Sequence, residues 1–92
     1  MIEHHYDNPD KVYVTVEAMF KPDGRLTPVA FVWENGRRYE VDRVTDVCRA
    51  ASLKAGGVGM RYTCMVRQHQ TYLFYEEGRW FMERRDNKNK PG

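Results

Sequence analysis

"FVWENGRRYEV", residues 31–41, decides the fold, because Asn35-Gly36 near its centre is the strongest short-range hairpin signal in the chain. Side chains alternate along a strand, so the length of the turn determines which residues share a face. A two-residue turn at Asn35-Gly36 sets Trp33 against Arg38 and Phe31 against Glu40, which mixes aromatics with charges. A three-residue loop, Glu34-Asn35-Gly36 with Gly36 left-handed in a bulge, instead pairs Trp33 with Arg37, Phe31 with Tyr39 and Val29 with Val41. That register collects the apolar residues on one face and sends Ala30, Val32, Arg38 and Glu40 to the other. It is the register the sequence predicts.

On the N-terminal side of this hairpin, after the polar segment 1–10, "KVYVTVEAMF" alternates strictly. Val12, Val14, Val16, Ala18 and Phe20 occupy one face, so a half-buried strand is expected. "KPDG" at 21–24 turns the chain, and Pro28 in "LTPVAFVWE" belongs near a strand start or a sheet edge because it has no amide to donate.

On the C-terminal side, residues 42–57 carry two readings. Val44, Val47, Cys48 and Ala51 fall at i, i+3, i+4 and i+7, which suits a short helix closed by Gly56, yet the β alternation of Tyr39 and Val41 can also run on. The expectation is a strand ending near Val47, then an irregular connection over 48–57 with at most one helical turn. "VGMRYTCMVR", "TYLFYEE" and "RWFMER" are the remaining strands, the last two joined at Glu76-Glu77-Gly78. Joined that way, Leu73, Tyr75 and Phe81 take one face and Tyr72, Phe74, Trp80 and Met82 the other. Both faces of this hairpin then need cover.

The predicted fold is therefore all-β: a six-stranded antiparallel meander curled into a small SH3-like barrel or roll. One domain spans 1–83, and 84–92 is a basic flexible tail. The 92 residues allow a single modest core. A 41% hydrophobic share with 13% aromatics favours a folded β-rich chain over a disordered one. Of the formal charge of +2, the tail supplies +3 from Arg84, Arg85, Lys88 and Lys90 against Asp86, leaving −1 for the rest. Cys48 and Cys64, with no CxxC spacing and no signal peptide, read as reduced thiols of a cytoplasmic protein. No apolar run reaches the roughly 18 residues of a spanning helix.

The chemistry-bearing residues do not assemble into a catalytic motif. His4, His5, Cys48, Cys64 and His69 lack a zinc spacing, and Cys64 alternates with Tyr62 and Val66 on an apolar face, where a thiol is core filling. "KAGGVGMR" at 54–61 leads into a strand, unlike a Walker loop, which opens a helix. No enzymatic activity, cofactor or metal is expected. The sequence points instead to a non-catalytic binding module that makes a protein contact or homodimer through an aromatic outer face, Tyr72, Phe74, Trp80 and Met82. The alternative partner is nucleic acid, held by Arg61, Arg67, Arg79, Arg84, Arg85, Lys88 and Lys90 among stacking aromatics.

Pro28, Phe31, Trp33, Gly36, Arg37, Tyr39 and Val41, followed by "RYTC" and "GRWFMER", resemble the core pattern of a group of small uncharacterised bacterial domains. Members of that group occur alone or appended to translesion DNA polymerase-like proteins. The resemblance implies a small β fold over about residues 12–83, assigns no catalytic residues, and by analogy favours a DNA-linked setting.

Overall fold

Val14 divides the first alternating run between two sheets. The computed structural model describes residues 11–52 and 56–84. They form eight strands: β1 (Lys11–Tyr13), β2 (Thr15–Phe20), β3 (Leu26–Val32), β4 (Arg38–Glu40), β5 (Arg43–Ser52), β6 (Gly56–Val66), β7 (His69–Glu76) and β8 (Arg79–Glu83). A five-stranded sheet has the order β1-β8-β7-β6-β5 and a three-stranded sheet the order β2-β3-β4, with every pair antiparallel. The Val14 amide still donates to the Trp80 carbonyl at 3.1 Å, while Thr15 already pairs with Val32 in the other sheet.

The chain is all-β, as expected, but the six-stranded barrel is corrected to eight strands in two sheets. Both sheets end in edge strands, β1 and β5 in one and β2 and β4 in the other, so neither closes on itself. Two apolar sheet faces meeting each other bury the same side chains that a closed barrel would enclose. The meander survives within each sheet, from β2 to β4 and from β5 to β8.

The hairpin at 31–41 takes its predicted register. Phe31 pairs with Tyr39, the Trp33 amide donates to the Arg37 carbonyl at 2.9 Å, and the Val41 amide donates to the Val29 carbonyl at 2.9 Å. Gly36 sits at φ +86°, a conformation that costs a side-chain-bearing residue and that glycine adopts freely. Asn35 Oδ1 accepts the Arg37 amide at 2.9 Å and closes the loop. On the outer face, Arg38 donates to Glu17 across β3 at 2.8 and 2.9 Å and to Glu40 at 3.2 Å. The hydrogen bonds from Arg38 hold the Glu17 carboxyl below its usual range.

The expected connection at 48–57 is corrected over its described residues: β5 runs to Ser52 and β6 begins at Gly56, while 53–55 lie outside the description. The helix-like spacing of Val44 and Val47 comes from a bulge. Val44 opposes Cys64 and Val47 opposes Tyr62, with the register shifting at Thr45, so two residues three apart reach one face of a strand. Thr45 satisfies its hydroxyl on the Thr63 carbonyl at 3.2 Å.

The last hairpin is one residue tighter than expected. Glu76 pairs with Arg79, and the turn is Glu77-Gly78 alone, at φ +53° and +79°. Both values are positive, as the mirror-image turn favoured in two-residue hairpins requires. Phe74 consequently faces Phe81, and Tyr75 faces Trp80.

Between the sheets lies the core, with Phe31, Tyr62, Cys64, Val66, Leu73, Trp80 and Met82 buried and Val16, Leu26, Tyr39, Val44 and Tyr75 packed around them. Tyr62 donates its hydroxyl to the Leu26 carbonyl at 2.8 Å, tying one sheet to the other. Burial raises both the Tyr62 phenol and the Cys64 thiol, the latter to about 11.

Candidate functional site

The tighter turn redistributes the four aromatic and sulfur side chains expected to form an interface. Trp80 and Met82 point into the core, each 9% exposed, while Phe74 and Tyr72 stay on the outer face of the large sheet. The four do not share a face, because a shift of one residue inverts everything beyond the turn. This corrects the expected grouping.

Registers across the large sheet line up Tyr13, Phe81, Phe74, Arg61 and Cys48 as one row on that outer face, one residue from each strand. Phe74 and Phe81 stack at 5.1 Å with an interplanar angle of 9°. They are nevertheless only 3% and 2% exposed. Lys11 supplies part of the cover: its Nζ lies 4.5 Å from the Phe81 ring centre and 3.4 Å from Glu76 Oε1. Arg79 sits 3.7 Å over the Tyr13 ring, and Arg61 lies 5.0 Å from the Tyr72 ring centre. Arg61 also donates to Cys48 Sγ at 3.5 Å, and its buried Nε has no hydrogen-bond partner. Cationic groups thus sit over the rings of this face. The face is a small second core and not an open stacking platform.

Two half-buried aromatics, Trp33 and Tyr39, lie elsewhere. The ladder between β7 and β8 covers only Phe74–Glu76 on β7, so His69–Leu73 pair with β6 on one side and, among the described residues, with no strand on the other. Meanwhile β8 follows β1, with Val12 opposite Met82 and Lys11 opposite Glu83. The two strands splay, and the gap opens into a cleft of about 660 Å³ between the sheets. Phe31, Trp33 and Tyr39 form its wall from the small sheet; His69, Gln70, Thr71 and Tyr72 line it from the edge of the large one. A volume of this size falls within the range of binding sites for small ligands or single large side chains.

Polar contacts brace the cleft. Arg84 donates to Glu34 Oε2 at 2.8 Å, joining β8 to the β3–β4 loop. The Arg67 amide donates to Asp42 Oδ2 at 3.0 Å, while its guanidinium lies 5.9 Å from the Tyr39 ring centre. The β6–β7 turn is Arg67-Gln68, at φ +52° and +70° with no glycine in it. Such a turn stores local strain, and strained non-glycine residues concentrate at functional sites.

The residues expected to hold nucleic acid are therefore dispersed. Arg61 and Arg79 lie on the outer face, Arg67 and Arg84 line the cleft, and Arg85, Lys88 and Lys90 are outside the described residues. Cys48 and Cys64 stand on opposite faces of the large sheet, both as free thiols. Among the described residues no three His, Cys, Asp or Glu side chains gather as metal ligands, and no helix is long and apolar enough to cross a membrane. The Gly-rich run enters β6, with Gly56 opposite Ser52 and Gly59 opposite Ala50.

No family model matches the chain, and neither does any curated protein or solved structure. The resemblance to small bacterial β domains thus rests on the residues quoted for it. Trp33, Tyr39, Arg67 and His69 are the site residues that sequence reasoning placed elsewhere or left unassigned. The turn beside them, Arg67-Gln68, holds no Gly, Asn or Asp, so turn chemistry marks neither its position nor the site.

Proposed function

We propose that this chain is a non-catalytic, cytoplasmic protein-binding module whose contact site is the inter-sheet cleft. The observation that carries the reading is the half-exposed pair Trp33 and Tyr39 across the cleft from β7 residues whose far edge is unpaired among the described residues. Aromatic side chains beside a polar rim are the usual anchor of protein contacts, since they bury large areas at small entropic cost. Of the four residues first expected to make the contact, Tyr72 and Met82 line this cleft. Two carboxylates beside it are engaged in bracing the fold, Glu34 with Arg84 and Asp42 with the Arg67 amide, which favours binding over catalysis. A DNA-linked setting for the module follows only from the family resemblance.

Selection of displayed protein fragments against the full chain tests this reading, with Trp33→Ala and Arg67→Glu as counter-targets and thermal melting as the control for folding. Enriched fragments that lose binding to both folded variants support it. No enrichment, or equal binding to the variants, overturns it. Sedimentation of the chain alone tells whether a second copy is the partner. A nucleic-acid partner draws less support, because Arg61, Arg67 and Arg79 each pack on a different tyrosine. That alternative requires affinity that falls steeply with salt.

A further inference from the structure

We infer that the cleft receives an extended polypeptide segment as an added strand on the open edge of β7, with an apolar side chain inserted beneath Trp33 and an acidic one beside Arg67. This rests on the binding-module reading and specifies the occupant. In an antiparallel ladder, pairs that exchange hydrogen bonds alternate with pairs that do not. Glu76 and Arg79 flank a two-residue turn and form a bonded pair, as do Phe74 and Phe81 two residues on. The same alternation turns the main-chain groups of Tyr72 and Gln70 toward the gap, where β8 has left the ladder. An incoming strand of three or four residues would occupy that gap, and main-chain pairing would set its register.

Side-chain chemistry then narrows the segment. Leu73 faces the core, so alternation puts Thr71 and His69 on the cleft side of β7. A guest residue opposite Thr71 points at Phe31, Trp33 and Tyr39, which calls for an aliphatic or aromatic side chain. Two positions along, the guest's next inward side chain lies opposite His69 at the β6–β7 turn. The Arg67 guanidinium stands there, making no ion pair among the described residues. A carboxylate at that position completes it. The segment is therefore an extended peptide with a large apolar residue and an Asp or Glu two positions away.

The test uses the full chain and a synthetic library of seven-residue peptides carrying Leu, Phe or Trp at the centre and Asp or Glu two positions to either side. Binding is read by fluorescence anisotropy. The best binder is then remade with single N-methylated peptide bonds, which delete one main-chain donor and leave the side chains. Alternating N-methylation is expected to weaken binding about tenfold at every second position, the loss of roughly one hydrogen bond, with amide exchange at Gln70 and Tyr72 slowed in the complex. Asp→Asn in the peptide is expected to matter for the native chain and not for Arg67→Gln. If peptides bind in a Trp33-dependent way but tolerate every N-methyl group, strand addition fails while the binding-module reading stands. If no peptide of the library binds, strand addition is overturned, and the fragment selection alone then judges the broader reading.

Discussion

Tyr75 stands directly opposite Trp80, with ring centres 4.8 Å apart and planes tilted by 51°. Trp80 also meets Tyr62 at 5.2 Å, so it joins three strands of the large sheet on the core side. Truncation there removes a buried aromatic and leaves a cavity. Trp80→Ala is expected to cost about 3–5 kcal/mol in urea unfolding. A cost below about 1 kcal/mol, the scale of an exposed substitution, would return Trp80 to the surface and the turn to three residues.

Lys11 holds its ammonium over the Phe81 ring and pairs with Glu76, and its side chain is only 15% exposed, so most of its aliphatic stem is out of water as well. Two substitutions separate these roles. Lys11→Met keeps the buried aliphatic bulk and deletes the charge, whereas Lys11→Ala removes both. The alanine variant is expected to lose about 1 kcal/mol more than the methionine variant, the value of the apolar area uncovered. Equal losses in chemical denaturation would assign the contact to the ion pair alone.

Cys64 is fully buried, and burial pushes its thiol to about 11. Iodoacetamide near neutral pH is therefore expected to modify Cys48 in the native chain and to reach Cys64 only on unfolding, as followed by mass spectrometry. The shift also has a sign. The folded state resists losing this proton, so folding stability is unaffected while the unfolded thiol stays protonated. It then falls as pH rises from about 8.5 toward the folded value. A Cys64→Ala variant is expected to lose that alkaline slope; a slope equal to wild type would assign it to other groups.

Much of the fold was legible along the chain because strands write their faces with a period of two. The hairpin at 31–41 follows from the sequence, since only the three-residue loop keeps Phe31, Tyr39, Val29 and Val41 together. The turn at 76–79 is not legible in the same way, because both faces of β7 and β8 carry aromatics and hydrophobic pattern does not discriminate between registers there. The same ambiguity hid the site. Residues 44–47 imitate a helix because a bulge changes the phase of a strand, and a bulge has no strong residue signature.

By itself the sequence determined that this is an all-β protein of tight hairpins, that residues 31–41 form one of them, and that Cys64 is apolar filling. These follow from local alternation and turn chemistry. Only the tertiary structure decided that the first run splits at Val14 between two sheets, that Lys11 and Arg79 lie over an outer aromatic row, and that β8 leaves β7 beyond Phe74. Those features depend on which strand edges and faces meet across long sequence separations. Val12 is drawn to Met82 and Phe31 into a core shared with Leu73, and no local pattern encodes such a choice.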